Sequence, residues 1–62
     1  ATSYLLEMLG DEADAVRKEA IRSLIKLKDP RALPKLRALT LKRDEKEIAK
    51  LARQAIAEIE AP

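Results

Sequence analysis

Apolar residues recur along this chain at helical spacing, and no alternating strand pattern interrupts them. Tyr4, Leu5, Leu6, Met8 and Leu9 predict a first helix that starts near Ser3 as its N-cap and stops at Gly10. A second helix opens at Asp11 or Asp14 and runs to about Lys28. Its Ala13, Val16, Ala20, Leu24 and Leu27 fall on one stripe, which Ile21 and Ile25 widen to roughly half the circumference at about 100° per residue. So wide an arc predicts neighbours on two sides. Asp29-Pro30 starts a third helix as N-cap and first helical proline. Pro34 lies deeper, where it removes a backbone donor and disfavours helical geometry at Leu33, so a loosened first turn is predicted. Leu33, Leu36, Leu39 and Thr40 form its inner face, and it ends by Leu41 or Lys42. Asp44, with Glu47 three residues on, predicts a near capping box for a fourth helix that buries Ile48, Leu51, Ala52, Ala55, Ile56 and Ile59.

Two of these helices carry closely matching residues. Ala20, Ile21 and Leu24 recur 35 positions later as Ala55, Ile56 and Ile59. A helix-turn-helix unit repeated at such spacing marks an α-solenoid. The expected fold is all-α, with four helices in a short right-handed stack; the alternative is a plain four-helix bundle.

The segment 11–41 sharpens this. Asp11, Val16-Arg17, Ala20-Ile21, Leu24, the turn Asp29-Pro30-Arg31-Ala32-Leu33-Pro34, then Leu36 and Leu39 resemble HEAT-type repeats, specifically the HEAT-like repeats also found in bilin lyases. The resemblance implies paired antiparallel helices stacked into a curved solenoid, with the second helix of each pair lining the concave side. It also implies that the loop acid and the arginine after valine, here Asp11 and Arg17, help tie loops together along the stack. Helical geometry agrees in part. Arg17 projects between Ile21 and Leu24 inside the apolar arc, so it needs a carboxylate or carbonyl partner. The second copy differs: the shift puts Leu51 at the Val16 place, Ala52 at the Arg17 place and Lys46 at the Asp11 place. The chain therefore reads as one domain with a half repeat over 1–10, a full repeat over 11–42 and a terminal half repeat over 43–62.

Composition narrows the chemistry. A chain of 62 residues is one domain, and at this size it buries only about 60% of its unfolded surface. It has no cysteine and no histidine, which removes thiolate metal sites, disulfides and the commonest general base. With no convergent catalytic pair, an enzyme is not expected, bilin-lyase likeness notwithstanding. No cofactor or metal is expected either. The acids Asp11, Glu12 and Asp14 lack the alternating oxygens and central glycine of a calcium loop, and acids at a helix start suit the helix dipole. No apolar run approaches the roughly 20 residues of a membrane span, and no leader pattern is read, so no membrane partner is expected and a cytoplasmic setting is the default.

The net charge of +2 is unevenly spread. Residues 1–16 carry four acids and no base, residues 17–43 carry ten bases against two acids, and residues 44–62 carry three bases against five acids. A basic middle between acidic ends suits a polyanion, an acidic partner or internal charge balance. Two candidate surfaces follow. Lys35, Ala38 and Lys42 point away from Leu36 and would line a concave groove; Lys18, Arg22 and Lys26 form a stripe opposite the core of the second helix. Asp11, Arg17, Asp29, Pro30 and Pro34 are expected to be structural. The expected function is a non-catalytic protein-interaction or scaffold module with an acidic protein partner. Binding to nucleic-acid phosphates is the alternative, although no aromatic residue interleaves with the bases to stack on unpaired bases. Self-association, or packing on further repeats, is the third reading, because Ile21, Ile25, Leu41 and Ile56 lie at the edges of the apolar stripes.

Overall fold

The computed structural model describes residues 2–62. Among these it contains four α-helices and no strand: α1 Thr2–Met8, α2 Asp14–Leu27, α3 Leu33–Leu39 and α4 Lys46–Glu60. The all-α expectation holds, and the helices stack as a short array. α1 lies on α2, α3 lies on α4, and α2 runs beside α4. The wide apolar arc of α2 is thereby explained, since it is covered from two sides.

One core joins all four helices. Leu9, Ala20, Ile21, Leu24, Ala32, Leu36, Leu39, Ile48, Ala52 and Ala55 form it, with Leu5, Leu6, Ile25, Leu51, Ile56 and Ile59 packed around it in part. Each large aliphatic side chain fully removed from water contributes about 1.5–3 kcal/mol. Alanines at Ala20, Ala32, Ala52 and Ala55 allow close approach of the helices that larger residues would hold apart. α1 buries none of its own residues and is anchored by Leu9, just beyond its end.

The turn between α2 and α3 forms as the Asp-Pro signal predicts. Asp29 has an extended backbone and its Oδ1 accepts the Arg31 N–H at 3.0 Å. Pro30–Ala32 form a single 3-10 turn before α3 begins at Leu33, with Pro34 in the first α-helical turn. The 3-10 turn is a loosened start of the kind predicted, and the missing Pro34 N–H falls where helices have no intrahelical acceptor to satisfy, but Leu33 itself is helical, with φ of −57° and ψ of −46°, contrary to the geometry expected before that proline.

α1 stops just before Gly10, as expected, without a left-handed residue there. The helix closes through tightened bonds, Gly10 N–H to the Glu7 carbonyl and Asp11 N–H to the Met8 carbonyl, both 3.0 Å. The left-handed residue is Lys28, with φ of 52°, and its N–H donates to the Leu24 carbonyl at 2.9 Å to close α2. Asp44 and Glu47 do not form a capping box. α4 starts two residues after Asp44, with Glu45 at the N-cap and no side-chain cap bond. α3 ends at Leu39, earlier than expected, because Thr40 turns its hydroxyl back onto the Arg37 carbonyl at 2.6 Å. Ala13 and Leu27 were placed on the buried stripe of α2, but Ala13 sits exposed before its first turn and Leu27, in its last, is half exposed. Ile21, placed at a stripe edge, is fully buried.

Candidate interaction groove

The side of the molecule bearing α1 and α3 is organised around Arg17. Its position one turn before Ile21 and Leu24 aims the side chain at the core, and only 11% of that side chain stays exposed. Two carboxylates hold its Nη2: Asp14, one turn earlier in α2, and Glu45, at the start of α4. Glu45 and then Asp14 raise the Arg17 pKa further above its already high value through their hydrogen bonds, so the guanidinium is charged at every accessible pH. The expected pairing of Arg17 thus exists, and it ties α2 to the loop before α4. The expected acid is corrected. Asp11 does not meet Arg17; its Oδ1 accepts the Ala13 N–H at 2.8 Å and shapes the turn into α2.

Beside Arg17 an open groove runs between α1 and α3. Lys35, Ala38 and Lys42 line it together, as their spacing on α3 predicts, and Lys35 and Ala38 are exposed. The opposite wall comes from Leu6, Glu7 and Gly10, which sequence reading did not assign to any site. A Cβ at Gly10 would meet nothing closer than the Glu7 carbonyl at 3.5 Å, so the glycine is not needed for the backbone there and its effect is to leave the groove wall low. Lys42 lies 3.9 Å from Glu45 at its nearest, a loose pair for a half-exposed side chain. The groove thus combines an apolar floor, cations on the α3 rim and one carboxylate on the α1 rim.

The predicted stripe on α2 is dispersed by the fold. Lys18 is not free: its Nζ contacts Glu47 Oε2 at 2.8 Å, and this bond holds the Glu47 carboxyl below its usual pKa. Arg22 faces Lys50 and Gln54 across a shallow seam between α2 and α4, and Lys26 is exposed farther along α2, outside both grooves. Glu45, at the N-cap of α4, and Glu47, in its first turn, are the partners of Arg17 and Lys18. The buried arginine was the signal for such an acid, but nothing in one dimension distinguishes Glu45 from the acids nearer by.

The structural residues of the α2–α3 turn are in place. Arg31 forks onto Asp29, with Nη2 to Oδ2 at 2.6 Å, and with the Arg31 backbone N–H it holds the Asp29 carboxyl well below the usual carboxylate range. At the far side, Arg37 Nη2 reaches Glu60 Oε2 at 2.7 Å and links α3 to the end of α4. Tyr4, Leu27 and Leu41 are the large apolar side chains left most exposed among the described residues, at 66%, 50% and 79%. Among the described residues no helix is long and apolar enough to cross a membrane.

The family model for HEAT repeats matches residues 1–57. No curated protein and no solved structure matches the chain significantly. HEAT repeats generally mediate protein–protein interaction or scaffolding, and the family is typically non-enzymatic. With that match over nearly the whole length and a stacked four-helix array, the chain belongs to the HEAT-repeat family.

Proposed function

We propose that this chain is a protein-interaction module that takes an acidic segment of its partner into the groove between α1 and α3. The observation that carries this reading is the convergence of Lys35, Ala38 and Lys42 on one open groove whose other wall is low and sets Leu6 and Gly10 beside a single acid, Glu7. Apolar floor and cationic rim suit a segment that buries an aliphatic side chain and places carboxylates at its edge. The stack holds the groove in shape, since both walls rest on the α2–α4 layer. On this reading residues 1–10, 11–42 and 43–62 act as a half repeat, a full repeat and a half repeat, with the groove between the two helices of the concave layer.

A second reading, binding to a nucleic-acid backbone, draws on Arg22 and Lys50 at the α2–α4 seam. The tie between Lys18 and Glu47 weakens it by neutralising one cation of the stripe.

The two surfaces are separated by charge reversal. With a glutamate-rich peptide as probe, the double variant Lys35→Glu, Lys42→Glu is expected to bind about tenfold more weakly or worse, and Arg22→Glu, Lys50→Glu to bind as the parent does. The opposite ranking sinks the groove assignment. Duplex DNA titrated at low and high salt tests the second reading, which requires binding at low salt that falls steeply as salt rises.

A further inference from the structure

Within the layer of α2 and α4 each helix has one neighbour, so each leaves one flank with no helix beside it. Two sets of charges stand along those flanks. Glu12, Glu19 and Lys26 recur at seven-residue spacing from the turn before α2 to its last turn, and Lys46, Arg53 and Glu60 recur at the same spacing along α4. Seven residues come close to two turns, so each set keeps to one side of its helix. The signs run minus, minus, plus on α2 and plus, plus, minus on α4. All six residues are exposed, and among the described residues only Glu60 has an ion-pair partner, Arg37.

The contacts already made show which way these charges face. Arg17 and Lys18 mark the edge of α2 that meets α4, and at about 100° per residue Glu19 and Lys26 lie on the opposite side. Glu47 and Leu51 line the seam with α2, and Lys46, Arg53 and Glu60 lie on the other side of α4. The two helices run parallel, since Arg17 and Lys18 near the start of α2 reach Glu45 and Glu47 at the start of α4. Lys18, the fifth residue of α2, meets Glu47, the second of α4. A second copy laid on the free flank of α4 in the same sense, with Arg53, the eighth residue of α4, against its Glu19, the sixth of α2, has a similar stagger. Its Glu12 then meets Lys46 and its Lys26 meets Glu60.

The order of signs selects this arrangement. Sliding either way by seven residues sets a like pair together, Glu60 against Glu19 or Arg53 against Lys26. Reversing the helix sets two, Lys46 against Lys26 and Glu60 against Glu12. Charges on open helix faces contribute little by themselves, but apolar surface borders them. Val16 and Leu27 lie beside the α2 set and Ile56 beside the α4 set, each partly or half exposed.

We propose that copies of this chain stack head to tail, the free flank of α4 on one copy against the free flank of α2 on the next. The contact joins unlike surfaces, so it leaves one of each open and repeats from copy to copy. It uses neither Lys35 nor Lys42 and does not rest on the groove reading.

Sedimentation equilibrium of the unaltered chain, from micromolar to millimolar concentration, gives the first test. At low salt the mean mass should climb past that of two chains as concentration rises, and high salt should lower it. Arg53→Glu and Glu19→Arg, both at exposed positions, should keep the parent's melting temperature and each weaken association about tenfold or more. An equimolar mixture of the two single variants should restore it, because the altered α4 flank of one then faces the altered α2 flank of the other, and their unaltered flanks also match. A chain that stays monomeric at millimolar concentration in low salt overturns the proposal. So do single variants that associate as the parent does, or a mixture that associates no better than either variant alone.

Discussion

In α2, Ala20, Ile21 and Leu24 are all fully buried, whereas in α4 the matching Ala55 is fully buried but Ile56 and Ile59 keep part of their surface in water. Nearly the same residues at the same spacing have met different surroundings. Each helix has two neighbours, α1 and α4 for α2 and α2 and α3 for α4, but the motif sits mid-helix in α2 and at the C-terminal end of α4. One turn before each motif the contrast sharpens. Arg17 is nearly buried and tied to Asp14 and Glu45, while Ala52 occupies the matching place with no exposed surface and no polar atom. The repeat is thus a repeat of packing, and the ionic tie is an addition made only in the copy whose neighbouring loop offers an acid.

The most severe way to break that contrast is to put the arginine into both copies. Ala52→Arg would force a charge into a packed site with no acid facing it. It is expected to cost about 3–5 kcal/mol, much of the roughly 0.05–0.15 kcal/mol per residue that domains hold in reserve. Thermal melts should show a largely unfolded variant; a melting temperature close to the parent's would mean that the two places are interchangeable.

Truncating the motif in each copy gives a smaller and graded effect. Leu24→Ala is expected to cost about 2–5 kcal/mol, the range for a buried leucine, and Ile59→Ala about half as much, because that side chain is only partly covered. Urea unfolding of both variants measures the difference. Equal losses would show that α4 is as enclosed as α2.

The smallest effect distinguishes the two helix starts. Asp29 caps the turn into α3 and its carboxyl is held well below the usual range by Arg31, while Asp44 makes no cap bond at α4. A depressed folded pKa means stability that is present above the unfolded value of about 3.9 and lost as pH falls below it toward the folded value. Glu47, lowered by Lys18, adds in the same direction. Asp29→Asn should therefore flatten the fall in melting temperature below about pH 4, and Asp44→Asn should leave it unchanged. An acid limb that Asp29→Asn does not alter would remove the turn from the account.

The comparison also shows what can be read along one dimension. Helical periodicity located the helices because each buries one face, and Asp29-Pro30 marked its turn because those residues act on their own backbone. The burial of Arg17 followed from its place between Ile21 and Leu24. Its distant partner did not, because Glu45 is brought to it by the side-by-side packing of α2 and α4. Asp11, the acid expected, instead accepts the Ala13 N–H at the turn into α2. The groove was half legible for the same reason. Lys35, Ala38 and Lys42 share a face of α3, but Leu6, Glu7 and Gly10 reach it only through the way α1 lies on α2. The left-handed Lys28 had no signal, since glycine stood at another helix end.

The groove between α1 and α3 is the central claim, and amide chemical-shift mapping with a glutamate-rich peptide tests it most directly. The account predicts that the largest shifts fall on Leu6, Gly10, Ala38 and Lys42, with Arg22, Lys50 and Gln54 little changed. Shifts concentrated at the α2–α4 seam, or none at saturating peptide, would contradict it.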